Sequence, residues 1–432
     1  MTASRPERLV ISAGSQSVFG LKEVSRDLCE IIWLVDLSRQ EMNQLGRIMG
    51  RTGTVVDTSG LSNDQVIRAL AVTNPTGILN MEDSTQLPVA QIAAALGLDF
   101  HSPDVARRLS DKLVQRQTLR SSGVPTPDFA EIPAEPTNLD IDQLEREVGF
   151  PSVLKPRQGN GSRNVLIVRD RGELEHQLLI FGVQRQEPAG MILEAYLPSA
   201  RATVSRFDPI VSVESFFRDG TVHHFAVTGR LPFAEPFRET GLVLPSDLSP
   251  ANTLEAERAA TEAINALDVR HGCLHTEIKF TPDGPRIIEV NGRVGGGIPQ
   301  LVRMANGETS VLKLAMELAL GIPDDLVLPL TYQRIGWQRM ISPPVSANRI
   351  GNIVGLDRLK EIPGVDQVIV NRVAGEAVDW RRGIGDFVCQ VYGSAEDYDQ
   401  LDAQFALVEK ALHVSYEEHA TVRSGHSMAA TR

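Results

Sequence analysis

Short apolar runs alternate with amphipathic stretches from Leu9 to about Leu98. Four runs, "RLVISAG", "IIWLVD", "GTVVDT" and "TGILNM", have the length and apolar content of buried strands, and segments between them such as "QLPVAQIAAALGL" have a helical pattern. This alternation predicts a parallel sheet with helices on its faces. The loop after the first run, "SAGSQSVFG", lacks the G-x-G-x-x-G spacing, so a plain α/β scaffold is favoured over a dinucleotide-binding one.

The pattern changes after this region. "SPDVARRLSDKLVQRQTLRSSG" predicts one capped helix around Lys112 that ends at Gly123. A strand "PSVLKP", a loop "RQGNGSRN", a strand "VLIVRD", a helix "RGELEHQLLIF" and a strand "MILEAYL" follow. Then come β-rich sequence and a helix from about Pro250 to Leu267. From Thr331 onward, "DQVIVNRV", "DFVCQVYG" and a helix near "EDYDQLDAQFALVEKAL" predict a small α+β unit.

Composition narrows the class of protein. The 432 residues are 42% hydrophobic and 23% charged, as expected for a globular chain of several domains. A formal net charge of −12 argues against nucleic acid or an anionic membrane as the main partner. There is no signal-peptide pattern, no apolar run of membrane-helix length, and no C-x-x-C spacing among the three cysteines. We therefore expect a cytoplasmic protein.

The segment "HTEIKFTPDGPRIIEVN" predicts a hairpin that carries two acidic residues. If "TPDGP" forms the turn, Thr281 faces Pro285 and Glu277 lies directly opposite Glu289, on the same face as Asn291. Two opposed carboxylates repel each other, and a divalent cation such as Mg²⁺, which takes hard oxygen ligands together with substrate phosphates, would resolve that conflict. The alternative is a solvated hairpin whose charges face water.

A second constellation favours the cation. Lys155 ends an apolar strand and precedes a loop that contains Gly159 and Gly161. Glycines let the backbone approach a ligand closely, and successive N–H groups can cradle phosphate oxygens. Alone, this segment is equally compatible with an ordinary glycine loop beside a surface lysine. Together with the two-carboxylate hairpin, it predicts a site for a magnesium nucleotide.

At these motifs the chain resembles the ATP-grasp superfamily and, within it, the L-amino acid ligases of the bacilysin-synthetase (alanine–anticapsin ligase) type. The most specific matches are "HTEIK", "IIEVNGRVGGG" and "VSVESFFRDGTVHHFAVTGRLPFAEPFRETGLVLPS". The resemblance implies an α/β and α+β ATP-grasp fold. It divides the chain into an N-terminal Rossmann-like domain (1–105), a central subdomain with the glycine-rich loop (106–190), a catalytic subdomain with the metal hairpin (191–330) and a C-terminal α+β subdomain (331–432).

The resemblance also implies a reaction. Such enzymes phosphorylate a carboxylate with ATP and let an amine attack the acyl phosphate, which releases ADP and phosphate and leaves an amide bond. Dipeptide synthesis for an antibiotic or a related metabolite is the expected setting. The expected partners are amino acids or other small carboxylic acids, with a homodimer as one expected assembly.

The resemblance assigns site residues in four groups. ATP would contact Lys112, Lys155, Gly159, Gly161, Ser162, Glu194, Ala195 and Leu197. The cation, Mg²⁺ or Mn²⁺, would be held by Glu277, Glu289 and Asn291. Arg293, with Glu289 and the N–H of Gly296, would stabilise the transferring phosphate and the developing oxyanion. Substrates would lie against Glu214, Glu239, Arg293, Gly295 and Gly297.

Two departures from the family pattern affect these expectations. Ile210, in "DPIV", stands where many ATP-grasp enzymes carry a ribose-binding Glu, which leaves Asp208 as a candidate substitute. Gly297 stands where the bacilysin enzyme has a bulky aromatic. Since glycine has no side chain, we expect open volume there and a medium or large acceptor side chain.

Two other functions fit the motifs less well. An ATP-grasp carboxylase that activates bicarbonate would share the nucleotide site, although the chain has no biotinyl-carrier segment of the A-M-K-M type. A nucleotide-binding regulator without catalysis is the second alternative. Arg293 argues against the regulator, because a module that only binds has no need of a transition-state arginine.

Overall fold

The structure is a computed structural model that describes residues 6–12, 18–39, 42–136, 139–184, 187–200, 204–324 and 326–418. Most of the loop after the first apolar run, which is interpreted above, lies outside these ranges. Within them, no helix is long and apolar enough to cross a membrane.

The N-terminal region folds as the alternation of its apolar runs predicts. Its elements in chain order are β1 (Arg8–Ser12), α1 (Val18–Ser25), β2 (Glu30–Val35), α2 (Met42–Thr52), β3 (Thr54–Asp57), α3 (Asn63–Ala71), β4 (Gly77–Asn80) and α4 (Gln86–Leu96). The strands form a parallel sheet in the order β3-β2-β1-β4. β1, β2 and β4 are almost wholly buried, as expected for a parallel sheet covered by helices. The prediction of a parallel sheet is confirmed.

The helix predicted around Lys112 is two helices, α5 (Pro103–Ser110) and α6 (Lys112–Ser121). Asp111 between them has extended backbone angles, φ −116° and ψ 109°. Its carboxylate accepts hydrogen bonds from the backbone N–H groups of Leu113 and Val114, which caps α6. The single-helix prediction was therefore wrong, and Lys112 is the first residue of a new helix.

A second sheet follows. Its elements are β5 (Phe129–Ile132), α7 (Ile141–Glu147), β6 (Ser152–Pro156), β7 (Leu166–Val168), α8 (Arg171–Gln184) and β8 (Met191–Ala195). The sheet is antiparallel in the order β5-β8-β6-β7. The glycine-rich loop, residues 157–165, connects β6 to β7, so it lies at one end of this sheet.

The remaining strands build the largest sheet. The elements are β9 (Asp208–Arg218), β10 (Thr221–Arg230), β11 (Gly241–Leu244), α9 (Pro250–Ala266), β12 (Cys273–Thr281), β13 (Gly284–Asn291), α10 (Ile298–Asn306), α11 (Val311–Leu320), β14 (Ile335–Ile341), β15 (Ala347–Val354), α12 (Leu356–Leu359), β16 (Val365–Val370), β17 (Cys389–Ala395), α13 (Tyr398–Ala411) and β18 (His413–Glu418). Eight strands form one sheet in the order β13-β12-β9-β10-β11-β14-β17-β16, while β15 pairs with β18. The sheet continues across the boundary predicted at 330/331, since β14, β17 and β16 extend it.

Helices α10 and α11 connect the N-terminal sheet to the large sheet. One continuous apolar core contains Leu9 and Trp33 of the first sheet, Leu301 and Leu314 of these helices, and Phe216 of the large sheet. All five side chains are at most 3% exposed. Burial of this kind contributes about 25 cal/mol per Å² of apolar surface. It holds the carboxyl end of β4 close to the end of β13.

Candidate active site

The hairpin β12–β13 pairs the two predicted carboxylates. Glu277 lies opposite Glu289, and His275 lies opposite Asn291, as predicted. The turn differs from the prediction, because Thr281 pairs with Gly284 and not with Pro285. The expected pairing of the glutamates is restored by a bulge after Glu277, which leaves Ile288 without a cross-strand partner.

Each of the two carboxylates forms an ion pair with a basic side chain of the protein. Arg230 Nη2 lies 3.0 Å from Glu277 Oε1, and Lys112 Nζ lies 2.9 Å from Glu289 Oε1. Burial alone would raise the pKa of Glu277, but Arg230 and His275 hold it well below its ordinary range. The opposed carboxylates therefore do not need a metal to offset their repulsion, which was the reason for expecting one.

The hairpin can nevertheless hold a cation together with phosphate. Glu277 and Glu289 both line one cleft, and they supply the hard oxygen ligands that Mg²⁺ prefers. Among the described residues there is no group of three or more His, Cys, Asp or Glu side chains that would bind a metal by itself. The donor set thus fits a cation whose remaining ligands come from a bound triphosphate.

A buried ion-pair cluster lies beneath the glycine-rich loop. Lys155 Nζ lies 2.8 Å from Glu194 Oε2, and the fully buried Arg116 lies 2.9 Å from Glu194 Oε1. Burial would raise the pKa of Glu194, but Arg116 and Lys155 lower it. Burial lowers the pKa of Lys155 despite the neighbouring Glu194. The carboxylate of Glu194 thus forms an ion pair with Lys155, and both residues line the cleft described below.

A cleft with a cavity volume of about 180 Å³ lies between the second sheet and the hairpin. Eleven predicted site residues line it: Lys112, Lys155, Gly159, Gly161, Ser162, Glu194, Ala195, Leu197, Glu239, Glu277 and Glu289. One end is apolar and aromatic, formed by Tyr196, Ile210, Phe233 and Phe237, with Lys279 Nζ 4.8 Å from the Tyr196 ring centre. The other end is charged. This division suits a flat base at one end and a polyphosphate at the other.

The glycine-rich loop is tied down from two directions. Lys112 Nζ donates to the carbonyl oxygen of Gly159 at 2.7 Å. From the far side, the N–H of Ile384 donates to the Gly161 carbonyl, and the N–H of Asn164 donates to the Arg381 carbonyl, both at 2.9 Å. Residues 380–386, a short 3₁₀ segment after β16, thus form a strap against the loop.

This strap requires glycine at Gly383. Its backbone angles, φ 58° and ψ −128°, are ones that other residues rarely adopt. A Cβ at this position would overlap the carbonyl oxygen of Gly161. Loop and strap consequently touch backbone to backbone.

Three further predicted site residues, Arg293, Asn291 and Glu214, are not among the described residues that line the cleft. Arg293 is held by Asp83, whose Oδ2 lies 2.6 Å from Arg293 Nη2. Asn291 is buried across from His275. Glu214 is also buried, with both carboxylate oxygens 2.9 Å from Nδ1 of His275.

Glu214 and Glu239, the two acids predicted to lie against the substrate, each pair with a basic side chain of the protein. Glu214 pairs with His275, and Glu239 pairs closely with Arg230. Arg230 is 3% exposed and bridges Glu239 to Glu277. Only Glu239 of the two acids lies among the cleft-lining residues.

The expectation of open volume at Gly297 is wrong. Gly297 begins α10 with φ 77°, and a Cβ there would lie 2.7 Å from Gln338 Oε1. A Cβ at Gly295 would lie 2.6 Å from His275 Nδ1. At Gly296, in contrast, nothing lies within 4 Å of a Cβ. The open position of the glycine run is therefore Gly296, and Gly297 serves the turn into α10.

Asp208, the candidate substitute for ribose binding, begins β9 and accepts a hydrogen bond from the N–H of Ile210 at 3.1 Å. Burial raises its pKa. It is absent from the described residues that line the cleft, whereas Ile210 is among them.

Residues 148–300 match the ATP-grasp domain family. This chain contains an ATP-grasp domain. The ATP-grasp domain begins just before β6 and ends in the first turn of α10, so it includes the glycine-rich loop, the hairpin and Arg293.

Curated relatives cover parts of the chain. The uncharacterized protein y4rH of Sinorhizobium fredii is 28% identical over 300 residues, 68% of this chain and 58% of that protein. Carnosine synthase 1 of Gallus gallus is 32% identical over 193 residues, 42% of this chain and 20% of that protein. A D-alanine--D-alanine ligase of Synechococcus is 27% identical over 201 residues, 45% of this chain and 58% of that protein. The chain thus spans no more than 58% of the length of these relatives.

Solved ATP-grasp structures share the architecture of nearly the whole chain. An L-amino acid ligase from Bacillus licheniformis superposes with a TM-score of 0.80 at 21% identity, over 96% of this chain and all of that one. An N5-carboxyaminoimidazole ribonucleotide synthetase from Thermus thermophilus superposes with a TM-score of 0.69 at 19% identity, over 94% of this chain and 98% of that one. At these identities the similarity shows the fold.

Proposed function

We propose that this protein is an ATP-dependent carboxylate–amine ligase that joins an amino acid to a second amino acid or a related acid. The observation that carries the proposal is the convergence of Lys112, Lys155, Glu277 and Glu289 on one cleft, with Arg293 just beyond the hairpin. In this proposal the nucleotide occupies the cleft, and Arg293 meets the triphosphate end of the nucleotide.

In the proposed reaction, the base lies at the aromatic end of the cleft and the triphosphate lies under the glycine-rich loop. Lys112 and Lys155 contact the phosphates, and N–H groups of Gly161 and Ser162 cover them. Glu277, Glu289 and Asn291 would hold a divalent cation, which would supply neutralisation of the phosphate charge. Since each lysine is paired with a glutamate, the site is electrically balanced before the nucleotide enters.

The chemistry proceeds in two steps. A substrate carboxylate oxygen forms a bond to the γ-phosphorus while the bond from that phosphorus to the β–γ bridging oxygen breaks, which releases ADP. The amine nitrogen of the second substrate then attacks the acyl carbon and loses a proton, and phosphate leaves with its electron pair. Arg293 and the N–H of Gly296 stabilise the negative charge that develops in both steps.

The relatives support this proposal by their own activities. The names of three similar proteins, an L-amino acid ligase, a carnosine synthase and a D-alanine--D-alanine ligase, describe enzymes that join amino acids. Magnesium, the dipeptide product and a cytoplasmic location belong to the same proposal. The division of the chain into four parts, with boundaries after residues 105, 190 and 330, also belongs to this proposal.

Phosphate release across a matrix of amino-acid pairs tests the proposal. ATP is expected to yield ADP and phosphate only when a carboxylate substrate and an amine substrate are both present, with the coupled product detected by mass. AMP and pyrophosphate would contradict an acyl phosphate. Phosphate release that depends on bicarbonate and on no amino acid would favour the carboxylase alternative, and nucleotide binding without turnover would favour a regulator.

A further inference from the structure

The largely buried guanidinium of Arg293 forms an ion pair with Asp83, a residue of a different domain. Asp83 lies 210 residues earlier in the chain, directly after β4, and its Oδ2 is 2.6 Å from Arg293 Nη2. The side chains are 10% and 16% exposed, so water screens this ion pair little. On its own side, Arg293 Nη1 donates to the carbonyl oxygen of Val294 at 3.1 Å.

Asp83 is itself fixed in place. It begins a 3₁₀ turn, Asp83–Thr85, whose Thr85 hydroxyl donates to Asn80 Oδ1 at 2.7 Å. Asn80 Nδ2 donates to the carbonyl oxygen of Glu82 at 2.7 Å, and Ser12 Oγ donates to Thr85 Oγ1 at 2.9 Å. These bonds tie the turn to β1 and β4, which pair with each other in the N-terminal sheet.

The backbone at Gly292, next to Arg293, is held by the residue that follows this turn. Gln86 Nε2 donates to the carbonyl oxygen of Gly292 at 3.3 Å. A Cβ at Gly292 would lie 2.5 Å from that amide nitrogen, so the close approach depends on glycine. The N-terminal domain therefore contacts Gly292 at its backbone carbonyl oxygen and Arg293 at its side chain.

We propose that Asp83 is a positioning residue for Arg293, which it holds from the turn that follows β4. A free arginine side chain samples many rotamers, whereas a carboxylate on one nitrogen of the planar fork fixes the direction of the others. Glu277 and Glu289 both attract the guanidinium from the cleft side. Asp83 is thus placed to offset that pull and keep the remaining donors available for phosphate.

This inference rests on the proposed function. It gives the N-terminal domain, which lies outside the matched ATP-grasp region, a defined part in the chemistry. A misplacement of about 1 Å in a catalytic group costs about 100-fold in rate. We therefore expect loss of the Asp83 charge to lower kcat and to leave the nucleotide KM nearly unchanged.

The test uses Asp83→Asn, which keeps the shape and removes the charge. The wild-type protein must first show amine-dependent phosphate release; if it does not, the proposed function fails and not the role of Asp83. With an active wild type, kcat of D83N should fall about 10- to 100-fold, with the Kd for ADP changed less than about twofold. Asp83→Glu, which restores the charge, should recover part of the rate.

Two comparisons separate positioning from simple stability. Asp324 forms a similar ion pair, 2.6 Å to Arg218 and with a side chain 2% exposed, away from the cleft. D324N should lower the melting temperature about as much as D83N and spare kcat. In an Arg293→Lys background, D83N should cost much less than it does in the wild type. The proposal would be overturned if D83N left kcat unchanged or raised it. It would also be overturned if D83N lowered kcat as much in the R293K background as in the wild type.

Discussion

Lys112 joins the glycine-rich loop to the hairpin, because its ammonium lies 2.9 Å from the carboxylate of Glu289 and 2.7 Å from the carbonyl oxygen of Gly159. Glu289 therefore has two neighbours: Lys112 at the start of α6 and, in the proposed reaction, the cation. Its substitution tests both the catalytic and the structural importance of this contact.

Glu289→Gln should abolish most turnover and leave the fold intact. The amide keeps the shape of the side chain and removes the charge that a cation requires, so kcat should fall about 100-fold or more, a few kcal/mol on the barrier. Excess Mg²⁺ should restore part of the activity. Glu409→Gln, at an exposed ion pair with Arg339, is the control. A near-normal rate for E289Q at limiting Mg²⁺ would show that the hairpin is structural.

Gly296 and Gly297 should respond differently to substitution. Gly297→Ala introduces a side chain at φ 77° and 2.7 Å from Gln338 Oε1, so it should destabilise the protein by about 1–2 kcal/mol and slow all substrates alike. Gly296→Ala meets no atom within 4 Å and should fold normally. Larger residues at 296 should change the ratio of kcat/KM between small and large amine substrates. Equal melting temperatures for the two alanine variants would contradict this assignment.

Gly383→Ala should loosen the glycine-rich loop. The added Cβ overlaps the Gly161 carbonyl, so the strap must move away and its hydrogen bonds to the loop weaken. We expect the KM for ATP to rise several-fold and amide hydrogens of residues 159–165 to exchange faster. Gly385→Ala, two residues on, meets only Arg382 Cβ at 3.7 Å and should behave like the wild type. Matching exchange rates in both variants would show that the strap does not restrain the loop.

Acid should destabilise the protein through His101. Burial lowers the pKa of His101 to about 3, so the ring is neutral in the folded state, while in the unfolded chain it titrates near 6.5. The contribution of His101 to the free energy of unfolding is complete above pH 6.5 and is lost as the pH falls toward 3. By pH 5 the loss is about 2 kcal/mol.

Urea unfolding at pH 8 and pH 5 measures this effect. His101→Gln removes the titrating group, so the free energy of unfolding should fall less between the two pH values than it does in the wild type. His224, whose pKa burial lowers to about 4, is present in both proteins and cancels from the comparison. Identical pH dependence in the two proteins would contradict the burial of a neutral His101.

The features that the sequence predicted well are local. The N-terminal strands are short apolar runs, and the pairing of Glu277 with Glu289 depends on one turn and twelve residues. The break at Asp111 had a local signal as well, since aspartate is a preferred N-cap and stands directly before Lys112. The bulge that frees Ile288 had none, because only the combined geometry of turn and sheet requires it.

The missed site residues act over long sequence distances. Arg230 contacts Glu277 across 47 positions, Arg116 contacts Glu194 across 78, and Asp83 contacts Arg293 across 210. Arg116 and Asp83 are single charged residues in segments with no motif, and Arg230 lies in a segment that matches the family as a whole. In sequence, each looks the same as a solvated surface charge. Only the packing of β10, α6 and the turn after β4 around the hairpin brings these charges to the site.

The continuity of the large sheet limits how the chain can be divided. β11 hydrogen-bonds to β14 from Gly241 paired with Arg339 to Leu244 paired with Gly336. A protein truncated after residue 330 would lose that neighbour and expose the unpaired backbone of a fully buried apolar strand, the kind of edge that promotes aggregation. The C-terminal quarter is thus not a detachable module, and exchange of parts between related proteins has to cut elsewhere than at this boundary.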